Sequence, residues 1–259
     1  MSDVRRRLNR LFRNGKSLVV ACDHGMIGGP IAGIDNMGRC LDQVIAGGAD
    51  GVMVTYGTAI RFPEKLSQVG LVLRIDGTSS ILSPKPGAGS AWYSIEDALR
   101  VGAEALCVTS FTATEYEEEH LKTLAAVIRQ GHEFGIPVMA EMMPGGFDAG
   151  PELRTLAHMK TTARVAAELG ADWVKIPYCE DFQEVVDNCY VPVVVLGGAT
   201  DPDSYNVLKM IEKGMKSGGS GATVGRNIWQ SAYPKAMTSA IAHIVHDGWT
   251  AEQAKELLK

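Results

Sequence analysis

Short apolar runs alternate with stretches whose apolar positions recur every three or four residues, and this alternation organises the whole chain. The runs at 17–22 (SLVVAC), 51–55 (GVMVT), 71–75 (LVLRI), 105–109, 136–142, 171–178, 191–196 and 221–224 have strand length and punctuated ends. Between them the spacing turns helical. Met37, Leu41, Val44 and Ile45 predict a helix stopped by Gly47-Gly48. Further helices are expected over 59–67, 94–101, 115–134, 153–169, 182–188, around Val207, Leu208, Ile211 and Met215, and over 234–246, with 250–258 closing the chain. Residues 4–12 predict a short capping helix ahead of the first strand, with Leu8, Leu11 and Phe12 on one side.

Eight strand–helix repeats in 259 residues fit a closed (β/α)8 barrel, a TIM barrel, as one domain over 1–259, better than an open doubly wound sheet. One long segment, 76–93, is rich in Gly, Ser and Pro and predicts no regular structure. It lies between the third strand and its helix, on the side where barrels keep their active sites, and reads as a lid.

A barrel directs attention to the carboxyl ends of its strands. Lys175 stands in the apolar run Ala171-Asp172-Trp173-Val174-Lys175-Ile176-Pro177-Tyr178, which Pro177 breaks. Strand alternation puts Lys175 on one face with Trp173, and Val174 with Ile176 on the other. An ammonium there loses hydration, which favours the neutral amine, a nucleophile towards carbonyl carbon. Asp23 and His24 follow the first strand, Arg74 and Asp76 end the third, and Glu141 ends the fifth. A single carboxylate at a strand end is commonly a helix cap, but Asp23, Asp76, Glu141 and Lys175 together predict a site. His24 is a further binding or catalytic candidate, though strand alternation turns it away from Asp23 unless the strand has already ended. Arg74 reads either as a substrate-binding cation or as the inward partner of Glu141 or Asp76, and Tyr178 as a further binding residue.

The seventh and eighth strands run into Gly197-Gly198 and Gly225-Arg226. Glycines let backbone N–H groups approach an anion and arginine supplies a fork, at the place where barrels commonly bind phosphate. His243 and His246, three apart on a late helix, read as surface histidines, and no metal motif is expected.

The balance of 30 acidic against 25 basic residues leaves no basic face, so nucleic acid is not an expected partner. Five scattered cysteines without a C-x-x-C pair predict reduced thiols and a cytoplasmic location. No apolar run is long enough to span a bilayer and residues 1–13 lack a secretory apolar region, so no membrane association is expected.

Four segments carry a family resemblance: D-H-G at 23–25, V-K-I-P-Y at 174–178, V-L-G-G at 195–198 and G-A-T-V-G-R-N-I-W-Q at 221–230. Together they resemble the archaeal-type class I fructose-bisphosphate aldolase family, whose relatives include 2-amino-3,7-dideoxy-hept-6-ulosonate synthase and the autoinducer-2 pathway thiolase. The resemblance covers nearly the whole chain. It implies a Schiff base on Lys175 with no metal or other cofactor, Asp23 as acid/base partner, and Gly197, Gly198, Gly225 and Arg226 as a phosphate cradle. A small phosphorylated keto substrate and a homo-oligomer, often a decamer in this family, are implied with them.

One segment departs from the family. Its members carry W-x-Y-P-R-G on the fifth strand, with the tyrosine transferring protons, where this chain has Glu141-Met142-Met143-Pro144-Gly145-Gly146. Met143 stands at the tyrosine position and cannot move a proton. Glu141 shares its inward row and is the expected replacement, titrating in the working pH range because burial and Lys175 pull it in opposite directions. The segment 74–82 looks closer to the autoinducer-pathway enzyme. The expected activity is a Schiff-base lyase on a phosphorylated keto compound. Thiolase-type acyl transfer on a phosphorylated dicarbonyl and a non-catalytic phospho-ligand barrel are the alternatives.

Overall fold

The computed structural model describes residues 4–84 and 87–259. Eight parallel strands, β1 (Ser17–Ala21), β2 (Gly51–Val54), β3 (Gly70–Arg74), β4 (Ala105–Ser110), β5 (Val138–Met142), β6 (Trp173–Pro177), β7 (Val193–Leu196) and β8 (Gly221–Val224), close into a barrel. Each stands where the sequence predicts a strand, with small shifts at the ends.

Alternation along the strands makes two apolar layers. Val19, Ala21, Met53, Val72, Ala105, Cys107, Met139, Trp173 and Val194 fill the barrel, while Leu18, Val20, Val52, Leu73, Leu106, Val174 and Ile176 pack outward against the helices. The helix Arg5–Leu11 plugs the amino end of the barrel. Leu11 is wholly buried and the Phe12 ring meets Trp173 edge-on at 5.6 Å. Gly51 and Gly70 leave space for it, since a Cβ on either would lie 2.7 or 2.4 Å from Leu11 Cδ2.

Three turns at this floor repeat one device. Gly48-Ala49-Asp50, Gly102-Ala103-Glu104 and Gly170-Ala171-Asp172 each end a helix with a glycine at positive φ and enter the next strand through a carboxylate. Each acid accepts the first free N–H of the preceding strand: Asp50 from Leu18 at 2.7 Å, Glu104 from Leu71 at 2.8 Å, Asp172 from Val138 at 2.7 Å. The backbone N–H of each acid donates back to the carbonyl of the same residue. A second group holds each carboxylate: His246 on Asp50, Arg10 on Glu104 and His132 on Asp172. His246 is therefore no surface histidine. Its Nε2 lies 2.7 Å from Asp50 and joins a late helix to the floor, whereas His243 stacks on Trp249 near the surface.

Two stretches differ from expectation. The stretch 59–67 divides into Tyr56–Arg61 and Pro63–Leu66, because proline opens a new helix better than it continues one. The segment 76–93 contains an antiparallel pair, Asp76–Gly77 with Ser90–Ala91; within it, residues 85 and 86 lie outside the described residues. Trp92 lies over Gly77, where a Cβ would fall 2.5 Å from the indole, and Ile81 N–H donates to Ile27 in the loop after β1. Among the described residues no helix is long and apolar enough to cross a membrane.

Candidate active site

The open end of the barrel gathers five charged side chains from four strands or their exits. Glu141 on β5 and Lys175 on β6 are register partners on the inner face, and Lys175 Nζ forms an ion pair with Glu141 Oε1. Arg74, at the end of β3, takes the other oxygen, Oε2, through Nη2. Its Nε donates to Asp23 Oδ2 at 2.7 Å and its Nη1 to Asp76 Oδ1 at 3.1 Å. Thr109 on β4, opposite Glu141 in register, accepts from Arg74 and donates to Glu141 Oε2 at 2.9 Å. Exposures of 3% for Glu141, 4% for Lys175, 6% for Arg74 and 7% for Asp23 put the group inside the protein, where unpaired charge is costly.

These contacts bear on three expectations. Of its two readings Arg74 takes that of inward partner, to Glu141 and Asp76 both: its five N–H donors reach Asp23, Asp76, Thr109, Glu141 and the sulfur of Met53. Glu141 does not titrate in the working range. Burial pushes its pKa up, but Lys175 and Arg74 together outweigh that and hold it at about 2. Tyr178 is not brought to the cluster. It lies on the outward parity of β6, packed on Phe182 with ring centroids 5.5 Å apart and beside Gly214 of the helical shell.

Asp23 is likewise held below the usual carboxylate range. Burial opposes this, and Arg74, His24 and Lys175 overcome it. Asp76 goes the other way, raised by burial despite Arg74 and the N–H of Thr109. β1 ends at Ala21, so Asp23 and His24 no longer alternate as strand residues. His24 Nδ1 comes 3.3 Å from Asp23 Oδ1 without hydrogen-bond geometry, and its ring meets Trp229 edge-on at 5.4 Å. Met143 is buried at the exit of β5, one step along the inward row from Glu141.

The loops after β7 and β8 lie side by side at the same end. Gly197 allows close approach, since a Cβ would fall 2.7 Å from Val224 Cγ1, and Gly198 has φ +75°. A Cβ on Gly225 would press within 2.8 Å of the Ala21 carbonyl and His24. Arg226 is exposed at the start of the helix Arg226–Trp229. Sequence reasoning missed what organises these loops. Asn227 donates to the carbonyls of Gly197 (2.7 Å) and Ala199 (2.8 Å) and accepts from Asp201 N–H, while Trp229 Nε1 donates to Ala21 O. Arg154 likewise escaped notice; it clamps the carbonyls of Pro144 and Gly146 after β5. Thr109 was within reach, since alternation from Cys107 points it inward.

A parallel barrel with a lysine and carboxylates drawn together at its open end has the architecture of an aldolase. The chain belongs to the DeoC/LacD aldolase family, which matches residues 17–231. It is 32% identical over 258 residues to 2-amino-3,7-dideoxy-D-threo-hept-6-ulosonate synthase 1 of Archaeoglobus fulgidus, covering 99% of this chain and 96% of that one. It is also 32% identical over 254 residues to the 3-hydroxy-5-phosphonooxypentane-2,4-dione thiolase of Escherichia coli, covering 97% of this chain and 85% of that one. Among solved structures, an archaeal fructose 1,6-bisphosphate aldolase superposes with a TM-score of 0.85 at 29% identity, covering 95% of this chain and all of that one. A Schiff-base-forming fructose-1,6-bisphosphate aldolase gives 0.84 at 30% identity, covering 94% and 100%.

Proposed function

We propose that this enzyme makes or breaks a carbon–carbon bond in a small phosphorylated keto compound through a Schiff base on Lys175. The observation that carries the reading is the buried pair of Lys175 and Glu141 on adjacent strands inside the barrel. Lys175 Nζ gives up a proton to a neighbouring carboxylate and adds to the ketone carbon, and the carbinolamine hydroxyl takes that proton back as it leaves as water, which gives the protonated Schiff base. The iminium draws in the electron pair of the neighbouring carbon–carbon bond while a carboxylate accepts the proton of the hydroxyl beyond it. An aldehyde departs; the remaining enamine is protonated and hydrolysed, which frees the lysine.

This reading assigns the proton-accepting steps to Glu141, paired with Lys175, and to Asp23, paired with Arg74; the loss of charge on Lys175 as it attacks removes one of the cations that hold Glu141 down, and His24 stands beside Asp23. Gly197, Gly198, Gly225 and Arg226 form the phosphate cradle of this reading, supported by the adjacency of the two glycine loops and the exposed guanidinium. A homo-oligomeric cytoplasmic enzyme belongs to the same reading, and its mass in solution tests that part.

Borohydride reduction in the presence of a panel of phosphorylated ketones, followed by mass spectrometry, tests the proposal. An adduct on Lys175 is expected, and its absence with every ketone removes the Schiff base. Acyl transfer on a phosphorylated dicarbonyl is the second reading, favoured by the similarity to the thiolase. Cleavage that depends on coenzyme A selects it over the lyase.

A further inference from the structure

Arg74 spends its whole hydrogen-bonding capacity inside the site. Nε meets Asp23, Nη1 meets Asp76 and Thr109, and Nη2 meets Glu141 and Met53. The order of charges across the barrel is Asp23, Arg74, Glu141, Lys175, each in contact with the next. Three carboxylates, with Asp76, therefore share two cations. One of those cations changes state during Schiff-base chemistry, since Lys175 must be neutral to attack and is an iminium afterwards. Arginine cannot be deprotonated in a protein, so its charge stays constant throughout.

Resting on the lyase reading above, we infer that Arg74 is a positioning residue that fixes Asp23 and Glu141 at set spacing on either side of its own guanidinium, with Lys175 beyond Glu141, while the lysine changes charge. Its planar fork is suited to this because a single guanidinium reaches two carboxylates in different directions, which one ammonium cannot do in the same geometry. The titratable and charged groups facing this cluster are Asp23 and His24 after β1, Asp76 after β3, Cys107 on β4, Glu141 on β5 and Lys175 on β6, while Cys22 turns outward to Cys40. Without Arg74, the three carboxylates would face Lys175 alone.

The test follows the pH dependence of adduct formation on Lys175 with dihydroxyacetone phosphate and cyanoborohydride, read by mass spectrometry. In Arg74→Gln the acid limb is expected to move up by about one pH unit or more, the shift one adjacent opposite charge typically causes. Arg74→Lys, which keeps charge and loses the fork, is expected to keep the limb near the parent's while forming adduct about tenfold or more slowly, as misplaced catalytic groups do. A uniform loss in Arg74→Gln with the limb unmoved, or a parental rate in Arg74→Lys, overturns the inference. If Arg74→Gln does not fold, the double variant Arg74→Met with Asp76→Asn conserves the cluster's net charge. Its limb is expected to stay near the parent's while adduct forms about tenfold or more slowly, because the charge balance is kept and the fork is lost; a parental rate overturns the inference. An adduct on parental Lys175 with an unmoved limb in Arg74→Gln removes only the role of Arg74; no adduct in the parent with this or any other ketone of the panel removes the lyase reading itself.

Discussion

Glu141 and Lys175 occupy one register position on neighbouring strands, Oε1 of the first against Nζ of the second, while Arg74 holds the remaining oxygen of Glu141. The glutamate thus sits between a cation that reacts and a cation that does not. Removing the reacting one leaves the carboxylate still paired. Lys175→Ala is therefore expected to fold, with parental circular dichroism, and to show neither adduct nor turnover; residual turnover above a few per cent of the parent, on the order of what nucleophile loss leaves, would remove Lys175 from the chemistry.

Glu141→Gln keeps shape and most hydrogen bonding but cannot accept a proton. Reducible adduct should still form on Lys175, with turnover lower by about a hundredfold or more. Normal turnover in this variant would move the proton work to Asp23.

The same residue ties stability to pH. A glutamate that titrates near 4.5 when unfolded and is held at about 2 in the fold is the native carboxylate, so between those values the unfolded chain binds more protons. The stabilisation is fully present above the unfolded value and is lost as pH falls towards 2, on the order of 3 kcal/mol in all. Urea midpoints across pH 5 to 2 should fall more steeply for the parent than for Glu141→Gln. Parallel curves would mean that Glu141 does not carry this dependence.

Arg226→Ala should weaken binding of phosphorylated ketone more than it slows the chemical step, because a phosphate contact persists in ground and transition states alike. KM rises and kcat changes little. Equal affinity for a ketone with and without its phosphate, in parent and variant, would leave Arg226 outside the site.

Tyr178→Phe should turn over within about twofold of the parent, as expected for a change away from the reacting groups. A loss beyond tenfold would bring the hydroxyl back into the site despite its outward packing.

At the floor, Asp50→Ala leaves the buried N–H of Leu18 and the ring of His246 without an acceptor. A loss of about 2 to 3 kcal/mol in unfolding free energy is expected with kcat/KM unchanged. A selective fall in kcat/KM without loss of stability would contradict this division between floor and site.

The strand set was legible because a parallel sheet covered on both faces needs continuous apolar runs, and the parity of Trp173 and Lys175 followed from alternation. Parity also points Tyr178 outward with Val174 and Ile176, and only its nearness to Lys175 in the sequence makes it a site candidate. The titration of Glu141 is not legible from its own strand and Lys175, because the contribution of Arg74 comes from another strand, 67 residues away along the chain. Asn227 and Arg154 act on backbone carbonyls of other loops, contacts that leave no periodic trace. The carboxylate turns did leave one, as Gly-Ala-acid three times before alternate strands.

Those turns divide the barrel into quarters. Asp50 fastens β1 to β2, Glu104 fastens β3 to β4, Asp172 fastens β5 to β6, and Ser220 stands at the corresponding position between β7 and β8. None of these fastenings crosses from one quarter to the next. The crossings at the far end are made by the reactive groups and their neighbours. Arg74 reaches from the second quarter to Asp23 of the first and Glu141 of the third, Thr109 reaches Glu141 across the same seam, and Trp229 reaches from the fourth quarter to Ala21 of the first. Asp23, Arg74 and Glu141 are thus rivets between quarters as well as charges of the site, while Lys175 pairs within its own quarter, so changing the surroundings of the lysine means riveting this barrel anew.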